Sequence, residues 1–280
     1  MNLMKDYPDC FEEKYCIGSV YGTFPGAVWN GGRAVFGITG IKDIRAILKL
    51  YNDRGVPVRF TWTNSLLEEK HIYDTYCNLI MKEADNGMNQ VLVNRPVLEE
   101  YIRRQYPGFK LISSTTKRIT GLDGLLEELN KDYFLVVLDY DLNHNEEVLS
   151  AIGKQADKVE ILVNEICYPG CPKRSEHYRQ QSQMQLEYDI DAAFPCPNKT
   201  RERKFEECKE RPSFISREQI REYADRGFVN FKIVGRGMPM DFVKESYLYY
   251  LVKDDSRAFI RNKMESTLNQ FAQAMRKRKA

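Results

Sequence analysis

Histidine is scarce in this chain, with 3 residues among 280. A hydrolase built on a mobile imidazole base has few candidates, and no Gly-x-Ser-x-Gly, His-Glu-x-x-His or Walker pattern is present. A surplus of one charge is also missing: 42 Lys and Arg stand against 40 Asp and Glu, a formal net charge of +2. No global field therefore points to nucleic acid or to a membrane surface. The one basic run, Arg276-Lys277-Arg278-Lys279, reads as a solvated helix end, with an RNA contact as the alternative. Long apolar runs are absent as well. The most apolar stretch, residues 134–138, falls far short of the roughly 20 residues that span a bilayer. Residues 1–16 carry acidic side chains and Pro8 where a signal peptide needs an apolar stretch. A soluble, cytoplasmic protein with no membrane partner is expected.

With 42% hydrophobic and 29% charged residues, the chain has enough apolar surface for one substantial core. No Pro/Ser-rich linker, compositional shift or short repeat divides it, so a single domain over residues 1–280 is expected. Short β-rich runs at residues 16–21, 58–62, 90–93, 110–113, 134–138, 159–163, 213–215 and 231–234 alternate with amphipathic segments. Helical patterns cover residues 41–52, 71–85, 122–129, 146–156 and 218–225, with further helices starting at Pro96 and at Asp241. Pro96 suits a first helical position, Ser216 an N-cap, and Gly227 a C-terminal stop. Eight strands at about 35 residues per unit predict an α/β fold, a single (β/α)8 TIM-like barrel. An open doubly wound sheet is the competing arrangement. Residues 1–14 form a lead-in, residues 164–212 a cysteine-bearing insertion after strand six, and residues 241–280 a long C-terminal helical segment.

The cysteines are the most informative feature. Seven is an odd number, and the uneven spacing suits no secreted disulfide framework. In a reducing compartment, clustered thiols are more often ligands or catalysts. Cys167 and Cys171 form a C-x3-C pair just past strand six, and Cys196 and Cys208 follow in the polar stretch before residue 213. A barrel does its chemistry at the C-terminal strand ends, where this loop emerges, and Pro169-Gly170 lets the backbone turn so that both thiols face one centre. Four thiolates from an irregular loop suit tetrahedral zinc or a 4Fe–4S cluster. Zinc ribbons usually show two short pairs, so one pair plus two single cysteines tilts toward iron–sulfur. Reduced, unliganded cysteines are the alternative, although Lys173, Arg174, Lys204 and Lys209 make poor surroundings for apolar thiols. Cys16 and Cys77, in a strand and on an apolar helical face, read as packing residues.

Asn164-Glu165-x-Cys167-x-Pro169-x-Cys171-Pro172-x-Arg174-x-x-His177-Tyr178 resembles the signature of peptidase family U thirty-two, the collagenase-like peptidases. Phe231-Lys232-Ile233-x-Gly235-Arg236 is similar to that family's second motif, which usually reads Lys-Ile-Glu-Gly-Arg. Tyr21-Gly22 and residues 61–64 also stand where the family places similar residues. The resemblance implies a TIM-like barrel and, in several members, a 4Fe–4S cluster held by four cysteines. It implies oxygen-independent hydroxylation of RNA bases or of a quinone precursor in some members, and a peptidase activity in others. Ile166 replaces the usual Gly before the first Cys, Val234 replaces the motif's Glu, and the C-terminal extension of longer members is not expected. These departures bear on the substrate more than on the fold.

Glu165, His177, Lys232 and Arg236 are the candidate catalytic residues, converging from the ends of strands six and eight. Arg236 offers a planar fork to an anionic substrate group, Lys232 a compact charge, and Glu165 a proton-transfer group. Structural salt bridges are the alternative for the two cations. Trp62, Asn64, Asp139, Asn164 and Arg174 complete a polar mouth as substrate-binding candidates, with helix capping as the alternative for Asp139. Three functions fit these residues. The first is an iron–sulfur redox enzyme acting on a small molecule or a nucleic-acid base, with an electron donor or partner barrel protein. The second is a peptidase, and the third a non-catalytic cluster-bearing subunit.

Overall fold

The computed structural model describes residues 1–196 and 203–279, without the side chains of residues 271, 272 and 274–279. The side chains of the basic run at 276–279 and residues 197–202 of the loop at 164–212 therefore lie outside what is described. Seven strands form one sheet: β1 (Val20–Gly22), β2 (Val58–Trp62), β3 (Gln90–Val93), β4 (Lys110–Ser113), β5 (Leu135–Val137), β6 (Val159–Leu162) and β7 (Asn230–Lys232). They stand in sequence order, and every neighbouring pair is parallel. Helices α1 (Asn2–Asp6), α2 (Ile41–Asn52), α3 (Thr75–Ala84), α4 (Pro96–Gln105), α5 (Leu122–Asn130) and α6 (Glu146–Ile152) accompany the first six strands. After β6 come α7 (Arg174–Glu187), α8 (Phe205–Lys209) and α9 (Arg217–Asp225), then β7, α10 (Met240–Leu251) and α11 (Arg257–Lys279). No helix among the described residues is long and apolar enough to cross a membrane.

Local chemistry explains the helix ends. Ser216 and Gln219 exchange side-chain bonds with each other's backbone N–H, at 3.2 and 2.8 Å, as the capping box that opens α9. Asp74 accepts from Cys77 N at 2.7 Å at the start of α3. Alternation along the strands then divides the core in two. Phe60, Trp62, Val91, Val93 and Ile161 face the helices and pack with Ile44, Ile80, Leu98 and Ile102. Their neighbours Leu92, Ile112, Leu135, Val137 and Leu162 form a second cluster on the inner face. Phe11 bridges Val252 and packs with Leu248 and Ile260, seating the N-terminal lead-in against α10 and α11.

The closed eight-stranded barrel expected from the sequence is not formed; the α/β class is. The sheet is curled but open, with seven strands among the described residues. Residues 213–215, the expected seventh of eight strands, contribute one rung, Ile215 N to Val163 O at 3.0 Å. Side chains take their carbonyls instead: Asn143 Nδ2 donates to Ser213 O at 2.8 Å and the Tyr250 hydroxyl to Ile215 O at 2.9 Å. β6 therefore pairs directly with the segment that was expected to be the eighth strand. The two edges do not form a ladder with each other. Across that seam the Tyr21 hydroxyl reaches Ile233 O at 2.9 Å, and Lys232 Nζ lies 4.3 Å from the Tyr21 ring centroid. A tyrosine ring between the edges holds them farther apart than the about 4.8 Å of a β-ladder.

Candidate functional site

The inner face of the sheet carries ionic side chains below its C-terminal rim. Arg59 on β2 pairs with Glu160 on β6, donates to Gln90 Oε1 at 2.9 Å, and is buried with both. Lys232 on β7 completes the group, with Nζ 3.4 Å from Glu160 Oε2. Burial alone would raise the Glu160 pKa, but the two cations outweigh it and hold the carboxyl below its usual value. Burial pushes the Lys232 ammonium down to about 8, against the opposing pull of Glu160.

Above this group opens a cavity of about 440 Å³, lined from the ends of β1, β2, β4, β6 and β7 and by α7. Glu165, His177, Lys232 and Arg236, the four candidate catalytic residues, all line it. Arg174, Arg33 and Arg203 add three more cations, and Glu165 is the one carboxylate in its wall among the described residues. Arg236 donates from Nη1 to Asn30 Oδ1 at 2.6 Å and Thr61 Oγ1 at 2.7 Å, and from Nη2 to Gly31 O at 2.9 Å. All three partners are neutral. Burial, with Arg33 beside it, brings the Arg236 pKa down to about 10. His177 stacks on Phe194 with ring centroids 4.5 Å apart. Burial and then Arg33, Arg174 and Arg203 lower its pKa, so the ring is neutral at pH 7. Glu165 accepts from Cys167 N at 3.1 Å, which fixes its carboxylate at the start of the cysteine loop. Arg174 lies 4.2 Å over the Tyr140 ring and donates to Tyr168 O at 3.1 Å.

The thiols divide into two groups. Cys167 and Cys196 line the cavity, and Cys171 stands near enough to act on Cys167 electrostatically. Burial first, then Glu165 and these two neighbours, raise the Cys167 thiol to about 12. Cys208 belongs to the core instead: it is buried and its Sγ donates to Phe205 O at 2.9 Å. All seven cysteines are free thiols, and among the described residues no set of three His, Cys, Asp or Glu side chains is arranged to hold a metal ion. The four thiols expected as ligands thus do not stand together as a ready tetrahedral or cluster site.

The other expected site residues lie beside the cavity or beneath it. Trp62 is fully buried on the helix side of β2, stacked on Phe60 at 5.2 Å, while its neighbours Thr61 and Thr63 face the cavity. Asn64 ties Val28 O and Ser182 O at 3.0 Å each. Asn164 joins β6 to the end of β7, accepting from Val234 N at 2.6 Å and donating to Ser246 Oγ at 3.1 Å. Asp139 is buried and accepts from Arg118 Nη1 at 2.6 Å. Sequence reasoning passed over Asn30-Gly31-Gly32-Arg33, the segment wrapped around Arg236. A Cβ on Gly31 would meet Thr63 O at 2.2 Å, and Gly32 has φ +74° with its Cβ position 3.4 Å from Arg236 Nη2. The paired glycines before an arginine were the signal that marked it.

No protein-family model matches the chain. A U32 peptidase of known structure aligns with a TM-score of 0.51 over 79% of this chain and 86% of that one, at 16% identity. The fold is that of a U32 peptidase. In sequence, the chain is similar to an uncharacterized protease of Methanocaldococcus jannaschii, 26% identical over 242 residues, which cover 83% of this chain and 71% of that protein. Both likenesses support the resemblance carried by the two motifs at 164–178 and 231–236.

Proposed function

We propose that this protein is an enzyme of the U thirty-two peptidase type that hydrolyses short peptides in the cavity at the C-terminal rim of the sheet. The observation that carries this reading is the meeting of Glu165, His177, Lys232 and Arg236 around one cavity. The fold shared with a U32 peptidase and the similarity to a protein named as a protease support it. Water is the nucleophile in this reading, because a thiol held up at about 12 leaves Cys167 almost wholly protonated. Glu165 and the neutral His177 are the bases that take its proton. Lys232 offers positive charge to the oxyanion formed when water adds to an amide carbonyl, Arg236 attracts an anionic group of the substrate, and the proton taken from water passes to the leaving amine as the C–N bond breaks. About 440 Å³ holds a few residues of extended peptide and not a folded protein. Mass spectrometry of a short-peptide mixture incubated with the purified protein should show cleavage, while gelatin and casein stay intact. Glu165→Gln and His177→Asn should each slow cleavage at least about 100-fold with thermal stability unchanged. No cleavage by the folded protein, or full activity in both variants, would overturn the reading.

A second reading rests on the three thiols Cys167, Cys171 and Cys196: an iron–sulfur enzyme that hydroxylates a small molecule or a nucleic-acid base, with a partner barrel or electron donor in a reducing cytoplasm. A 4Fe–4S cluster, or zinc in its place, would draw these three thiols together, and a bound cluster supplies one-electron chemistry. Anaerobic purification with iron, zinc and sulfide analysis separates it from the peptidase reading.

A further inference from the structure

Two guanidinium groups share one side of the cavity without an acid between them. Arg236 is bonded to three neutral oxygens. The Arg33 guanidinium makes no hydrogen bond or ion pair among the described residues. Its stem runs over Gly237, the residue after Arg236; a Cβ there would sit 3.2 Å from Arg33 Cδ, and the φ of +74° also favours glycine. Holding two like charges together in a half-buried site is unfavourable unless something negative joins them. Gly32 brings the backbone close beside them: a Cβ there would lie 3.4 Å from both Arg236 Nη2 and Thr116 Cγ2. Thr115 Oγ1, on the neighbouring loop that lines the same cavity, is buried and has no hydrogen-bond partner. Two cations beside one cavity without a counter-charge mark where an anion would bind.

We propose that Arg33 and Arg236 form a two-guanidinium clamp that takes the free C-terminal carboxylate of a short peptide substrate. The clamp rests on the peptidase reading and gives that reading its substrate class. Planar forks match a carboxylate through paired N–H···O bonds. Phosphate sites are usually completed by backbone N–H groups of a glycine-rich turn. Here the glycine segment presents a carbonyl to the clamp and spends the Gly31 N–H on Thr61 O at 3.2 Å. Lys232, the compact cation suited to phosphate, shares its charge with Glu160, 3.4 Å away.

Calorimetric titration of the full chain with a tripeptide, its C-terminal amide and inorganic phosphate tests the clamp. The free acid should bind about tenfold or more tighter than the amide, and added salt should narrow the gap. Arg236 also holds the loop at 30–31, so Arg33, whose side chain makes no hydrogen bond or ion pair among the described residues, carries the decisive variant. Arg33→Gln should erase the acid-over-amide preference and leave the amide's affinity unchanged, while Arg33→Lys should keep part of it. Equal binding of acid and amide, an unchanged preference in Arg33→Gln, binding of phosphate in place of the peptide, or no peptide binding would each overturn the clamp. Failure of the parent reading looks different: the acid is then preferred through Arg33 but never cleaved. Cleavage with no preference for a free carboxylate sinks the clamp alone.

Discussion

Glu160 is a single carboxylate between two buried cations, and its removal shows what such an arrangement costs. Glu160→Gln keeps the shape but leaves Arg59 and Lys232 without a counter-charge on the inner face. Breaking a buried ionic group from one side costs about 3–5 kcal/mol, which urea denaturation should read directly. A loss below about 1 kcal/mol would mean that water reaches the group. Lys232 adds a pH dependence whose sign follows from its depressed pKa. Between about 8 in the folded protein and 10.5 in the unfolded chain, the unfolded state binds more protons. The contribution of Lys232 to stability is therefore smallest below pH 8 and grows as pH rises toward 10.5. Ligand binding runs the other way: the cavity loses a positive charge above about pH 8, so affinity for a carboxylate should fall there. Titrations from pH 7 to 9.5 should show the decline in the wild type and a flatter profile in Lys232→Arg. An identical decline in both would assign it to another group.

The loop after β6 shows how far a sequence leads and where it stops. The motif at 164–178 and the basic residues Lys232, ending β7, and Arg236 were legible, because a parallel α/β sheet delivers strand-end residues to one rim whatever its closure. Seven of the eight expected strands are present for the same reason: each is a short apolar run between amphipathic segments. Residues 213–215 looked alike in composition, but distant side chains, Asn143 and Tyr250, claim their carbonyls, which no local pattern reveals. Trp62 missed the cavity by one position, since alternation along β2 turns Thr61 and Thr63 inward and Trp62 toward the helices. Cys208 read as a ligand by its spacing, whereas α8 carries it into the core beside Phe205. Its replacement separates structure from metal chemistry. Cys208→Ala should cost about 1–2 kcal/mol as a small buried group is deleted, and leave any bound iron or zinc unchanged. Cys167→Ser, Cys171→Ser and Cys196→Ser should each lower metal content without that loss of stability, if the second functional reading holds. Metal lost on Cys208→Ala in a folded protein would return Cys208 to the ligand set.

A curled sheet that stops short of closure needs something to hold its edges, and here that task falls to the site itself. β1 and β7 each have a single hydrogen-bonded neighbour, and the seam between them is spanned by Tyr21 reaching Ile233 O and by Lys232 over the Tyr21 ring. One step further along the chain, Arg236 reaches back to Asn30 and to Thr61 on β2. Edge strands of three residues, joined by side chains, should open more readily than β3 and β4, which are buried and paired on both sides. Native-state hydrogen exchange should therefore find the least protection at residues 20–22 and 230–232. Tyr21→Phe removes one hydrogen bond while keeping the ring, a loss of about 0.5–1.5 kcal/mol. Exchange at those two edges should speed up by about two- to tenfold, with β3 and β4 unaffected. Because Arg236 both bridges the seam and lines the cavity, an anionic ligand that binds there should slow the same edge amides and leave the centre of the sheet alone. Uniform protection across all seven strands, or a ligand effect that spreads evenly through them, would mean that the seam opens only with the whole fold.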